Sequence, residues 1–149
     1  MVFLFVTALA AVSVSAAEEL KMGPAEMEGI AKILHSSKPA PDLRCSVKVS
    51  ERREQRTYLS GTKWIEYLEV EFTNSSAMAA RTTKAVFPVG SLLRRKEVLS
   101  PVSRRPAEEL VLEADDQLNH VLTVQHDGQG QLLWIEIHNS LMINPCRPK

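Results

Sequence analysis

Cys45 and Cys146 carry the clearest covalent chemistry in this chain, and they are its only cysteines. In an oxidising compartment two thiols have one pairing available. The loop it closes holds about 100 residues, for which chain entropy alone gives roughly 4–5 kcal/mol of stabilisation. Cysteines so far apart offer no metal-ligand spacing, so the alternative is a pair of free, buried thiols. The histidines are His35, His120, His126 and His138. His35 falls at a predicted helix C-terminus, where it favours the dipole. His120 and His138 fall on adjacent predicted strands but on opposite faces, which suits structural or solvated roles rather than a metal pair. Glu108/Glu109 and Asp115/Asp116 are adjacent carboxylates, and neighbours in a strand point apart, so they read as turn and edge groups rather than a glycosidase pair. The chain has no Gly-x-Ser-x-Gly elbow, no phosphate-cradling glycine loop and no His-Glu-x-x-His. A non-enzymatic protein without a cofactor is expected, with a weak hydrolase as an alternative.

Aromatic side chains provide the best binding chemistry. Trp134 falls on the strand face opposite Leu133 and Ile135, and Tyr67 on the face opposite Leu68 and Val70. If the aliphatic faces close the core, both rings project outward, where a flat apolar surface with a polar handle suits a sugar ring or a protein partner. Trp64 has the parity of the core face but sits at a strand end. Asn74-Ser75-Ser76 matches an N-glycosylation acceptor and follows a predicted strand, where an accessible loop is expected. Alternatively, Asn74 caps the strand end with a side-chain turn. Basic clusters occur at Arg52/Arg53/Arg56, Arg94/Arg95/Lys96 and Arg104/Arg105. They suit a sulfated polysaccharide or an acidic membrane surface, or else are solvated loops balanced by nearby glutamates.

The elements that must position these groups are mostly strands. The chain has 149 residues, with 18 basic and 18 acidic side chains. That balance excludes a dedicated nucleic-acid binder, and the length suits one domain. Residues 1–17 carry no charged side chain, and Glu18-Glu19 follow. The run is too short for a comfortable membrane span and ends in small residues, so it reads as a secretory signal cleaved after Ala16 or Ala17. Nothing else in the chain is apolar enough for a transmembrane segment. Residues 24–35 read as one helix with Pro24 in its first turn. Met27, Ile30, Ala31 and Leu34 make its apolar stripe. The segment 18–44 is thus a helix and proline-rich connector, and 45–149 an antiparallel β domain.

After Pro41 the period becomes 2. Cys45, Val47 and Val49 alternate with polar residues, and Glu51 to Ser60 is a charged hairpin arm or loop. Ser60-Gly61-Thr62-Lys63 marks a turn, and Trp64 to Thr73 is the strongest strand. Asn119 to His126 and Gln131 to Asn139 form a hairpin around Asp127-Gly128-Gln129-Gly130, with Val124 opposite Leu133 and Leu122 opposite Ile135. Val121, Thr123, Leu132 and Trp134 then share the other face. One helix followed by six or seven strands leaves little room for parallel crossovers. The expected fold is mainly β: an antiparallel β-sandwich with one short N-terminal helix, or alternatively a curved antiparallel sheet packed on that helix.

The stretch 45–76, Cys45-Ser-Val-Lys-Val and then Trp64-Ile-Glu-Tyr67-Leu-Glu-Val-Glu-Phe-Thr-Asn74-Ser-Ser, resembles small secreted cellulose-binding modules of plant cellulases and slime-mould matrix proteins. The resemblance implies a β-sandwich that holds glucan through exposed aromatics. It carries over onto Trp64, Tyr67 and the Asn74 turn. The sequence therefore leads to a secreted recognition protein binding extracellular polysaccharide. The alternative is a secreted ligand or inhibitor of a receptor, protease or other cell-surface protein.

Overall fold

A computed structural model describes residues 18–39, 44–74, 81–100, 104–114 and 118–145. The expected signal segment, Asp115/Asp116 and Cys146 lie outside the described residues. The chain runs through β1 (Glu18–Lys21), α1 (Pro24–Ser36), β2 (Lys38–Pro39), β3 (Cys45–Tyr58), β4 (Gly61–Asn74) and β5 (Arg81–Pro88). It continues through β6 (Leu92–Leu99), β7 (Pro106–Glu113), β8 (Val121–His126), β9 (Gln131–His138) and β10 (Ile143–Pro145). The fold is mainly β with one short helix, as expected.

The strands form two antiparallel sheets. The smaller has the order β3-β4-β5. The larger has the order β1-β6-β7-β8-β9-β10, with β2 joining β9 in parallel. Alternation places Leu68, Val70 and Phe72 on one face of β4 and Leu122, Val124, Ile135 and Ile137 on one face of β8 and β9, and all are buried. The helix contributes the expected stripe: Met27, Ile30, Ala31 and Leu34 join the same core cluster. Pro24 opens α1 where a missing N–H costs nothing, Glu26 lies in the first turn, where its charge is favoured, and His35 lies in the last turn.

Residues 18–39 are built into this body. Strand β1 pairs with β6, and Met22 is 1 % exposed, its N–H donating to the Ser91 carbonyl at 2.7 Å. The β8–β9 pairing is offset by two residues from the expected register: Val124 faces Ile135 and Leu122 faces Ile137. A two-residue shift leaves every side chain on its expected face. Leu132 is the exception. An irregularity between Gln125 and His126 sets His126 opposite Leu132, and Leu132 and Leu133 are both buried. The turn imposes this. Asp127 Oδ1 accepts from the N–H groups of Gln129 (2.7 Å) and Gln131 (3.0 Å), while Gly128 and Gly130 take φ of 75° and 91°. The extra residue is absorbed as a bulge beside that turn.

Strand β10 is stitched to the smaller sheet by side chains. Asn144 Nδ2 donates to Thr83 Oγ1 on β5 at 2.9 Å, and Asn74 Nδ2 on β4 donates to the Pro145 carbonyl. Cys45 lies directly opposite Asn74 and is disulfide-bonded.

Candidate recognition site

Among the described residues, the longest hairpin carries the most exposed aromatic groups, Trp64 and Tyr58. Strand β5 reaches only to Pro88, opposite Tyr67. Val89 N–H still donates to the Glu66 carbonyl at 2.9 Å, and beyond it β3 and β4 continue as a two-stranded ribbon, with Arg53 to Tyr58 running against Gly61 to Glu66. At about 3.3 Å per residue it projects roughly 20 Å. Every residue from 51 to 64 is exposed. The turn is tighter than the expected Ser60–Lys63: Leu59 and Ser60 make it, and β4 starts at Gly61, whose φ of 124° suits glycine.

The turn fixes which side chains share a face. Directly opposed residues lie on the same side of a ribbon, and successive pairs alternate. Trp64 is opposite Gln55, flanked by the Thr57/Thr62 pair towards the tip across one intervening pair, and by Arg53/Glu66 towards the base. The indole is 56 % exposed, and the Arg53 guanidinium carbon lies 4.4 Å from its ring centroid. Arg53 Nε is 3.8 Å from Glu66 Oε1. This face therefore offers one indole, with the Arg53 guanidinium stacked over one side of its ring and an amide, two hydroxyls and a carboxylate around it. The other face carries Arg52, Glu54, Arg56 and Tyr58 on β3 and Lys63, Ile65 and Tyr67 on β4. A shallow depression of about 270 Å³ adjoins Trp64, lined also by Ile65, Glu66 and Val89.

The aromatics singled out in the sequence are not brought together. Trp134 is half-buried on the large sheet, opposite Gln125. Tyr67 is half-buried on the small sheet, between Arg52 and Pro88. Each turns away from the core on its own sheet, so the pair forms no continuous aromatic strip. Trp64 stands apart as the exposed indole because its core-side parity continues past the end of the core. Its neighbours Gln55, Thr57 and Thr62 escaped notice in the sequence. The signal was their parity relative to Trp64, legible only once the turn is placed at Leu59-Ser60.

Asn74 does not sit on an open loop. It is 6 % exposed, and its Nδ2, the atom to which a glycan would attach, is the donor to Pro145. The basic clusters of the large sheet are likewise engaged. Arg94 Nη2 meets Glu113 at 2.8 Å, Arg95 Nη2 meets Glu108 at 2.9 Å, Lys96 Nζ lies 3.5 Å from Glu109, and Arg105 Nη2 meets Asp127 at 2.7 Å.

A second polar assembly lies where the inner face of the large sheet outruns the core. Glu108 Oε1 accepts from Arg95 and lies 3.1 Å from His126 Nε2, beside a cleft of about 630 Å³ lined in part by Leu99, Pro106, Asp127 and Gly128. Burial pushes the Glu108 carboxyl upward, but the hydrogen bonds and charges of Arg95 and His126 outweigh it and hold the group below its ordinary range. Asp127 is also lowered: burial opposes, and the Gln129 and Gln131 amides with Arg105 prevail. Both carboxyls are therefore held ionised, and neither is suited to donate a proton as a general acid near neutrality. Among the described residues, no group of three metal-binding side chains converges, and no helix is long and apolar enough to cross a membrane. Comparison of the chain with protein-family models, curated proteins and solved structures finds no match.

Proposed function

We propose that this chain is a secreted, non-enzymatic recognition protein that holds extracellular carbohydrate on the Trp64 face of its projecting ribbon. One observation carries the reading: a more than half-exposed indole whose neighbours on the same face are all hydrogen-bonding groups, Gln55, Thr57, Thr62, Arg53 and Glu66. A sugar ring presents an apolar C–H face to an aromatic ring and equatorial hydroxyls around it, so this arrangement matches its chemistry. Arg53 stacks on the ring and holds it in place. The disulfide at Cys45 fits an oxidising compartment. Retention of the full chain on insoluble cellulose and chitin tests the reading. Trp64→Ala should abolish retention, while Trp134→Ala should leave it intact. Failure of the unaltered chain to bind either polymer would overturn it.

A further inference from the structure

We infer that the tip of the β3–β4 ribbon seats on an anionic membrane surface. The inference concerns the end and the opposite face of the ribbon, and stands independently of the carbohydrate reading. Leu59 occupies the turn with an ordinary negative φ, which most residue types accept, and its side chain is fully exposed. Its side chain lies outside the core. Tyr58 beside it is 46 % exposed. Arg56 and Lys63 lie directly opposite each other on the Tyr58 face, a like-charge pairing that weakens a ribbon. The stretch from Gln55 to Ile65 contains no carboxylate. Glu54 approaches Arg56 at 3.6 Å, and among the described residues no carboxylate pairs with Lys63.

This combination matches a bilayer boundary. Amphipathic elements insert about 5–10 Å into the headgroup and acyl boundary. The Arg56/Lys63 pair lies two pairs behind Tyr58/Gly61, about 7 Å back along the ribbon. Insertion by that depth buries Leu59, brings the Tyr58 ring to the interface where aromatic rings concentrate, and leaves both cations level with lipid phosphates. Anionic headgroups would then relieve the repulsion between the opposed cations. The apolar end projects clear of the protein body, so a surface can receive it without a preformed cavity.

Flotation of the full chain with vesicles of phosphatidylserine and phosphatidylcholine, against vesicles of phosphatidylcholine alone, tests this. Selective binding to the mixed vesicles is expected. Leu59→Ser should weaken it about tenfold, the cost of leaving one leucine unburied. Arg56→Gln with Lys63→Gln should weaken it about 30-fold, since each cation near such a surface contributes about fivefold. All three positions are exposed, so the thermal midpoint should be unchanged, and Leu59→Ser should still be retained on polysaccharide if the Trp64 reading holds. Equal binding to both vesicle types would overturn the inference. So would binding to mixed vesicles that Leu59→Ser leaves unchanged, or binding to dextran sulfate without binding to vesicles.

Discussion

Arg53 stacks on Trp64 across a diagonal of the ribbon. The guanidinium carbon is 4.4 Å from the ring centroid, although Arg53 is directly opposite Glu66 and Trp64 directly opposite Gln55. An exposed cation–π pair contributes about 0.5–1 kcal/mol. Here it acts at the base of the ribbon, where Val89 makes the last bond from the third strand to Glu66, and a bare two-stranded ribbon is only marginally stable. Arg53→Ala should therefore loosen the ribbon rather than unfold the protein. Amide exchange between Gln55 and Ile65 should quicken, with little change in the global thermal midpoint. A midpoint drop equal to that of a core substitution would contradict this.

Gly29 is the weak point of α1. A Cβ built there meets nothing within 4 Å, and the residue lies within a helix with ordinary backbone geometry. Glycine in a helix interior costs about 0.5–1 kcal/mol relative to alanine. Gly29→Ala should stabilise the protein by that amount, seen as a higher denaturation midpoint at unchanged slope in urea.

Asn74 is a structural amide at the junction of the sheets. Removing it in Asn74→Ala leaves the half-buried Pro145 carbonyl without this donor, which costs about 1 kcal/mol. A glycan on Nδ2 would occupy the same space. The folded protein should therefore carry an unmodified Asn74, with no glycan mass on the peptide that contains it. A glycan found at this position would mean that Pro145 sits elsewhere in the native chain.

Acid should destabilise the fold through Glu108 and Asp127, whose carboxyls are both held below their ordinary values. A group that ionises more readily when folded contributes stability above its unfolded pKa. That contribution is lost as pH falls through the lower, folded value. Thermal midpoints should thus be level near neutrality and fall below about pH 4, the ordinary carboxylate range. In Glu108→Gln and Asp127→Asn the acid fall should be shallower, because each removes one group that must be protonated. Equal acid slopes in all three proteins would show that other carboxylates govern the transition.

The division between sequence and tertiary structure follows from periodicity. A repeat of 3.6 placed Met27, Ile30, Ala31 and Leu34 on one helix face, and a repeat of 2 placed Leu68, Val70, Phe72, Val124 and Ile135 towards a core. These are properties of one segment at a time, and all of these residues are buried. Pairing is a relationship between segments, and alternation is blind to a shift of two. Hence the β8–β9 register, and the bulge that buries Leu132 beside Leu133, were decided only when the Asp127 turn closed. The separation of Trp134 from Tyr67 depended on which sheet each strand joined. The burial of Asn74 depended on β10 returning from far along the chain to meet β4. Trp64 lies between the two cases: its face was legible in the sequence, but its exposure was not, because only the length of β5 determines where the core ends.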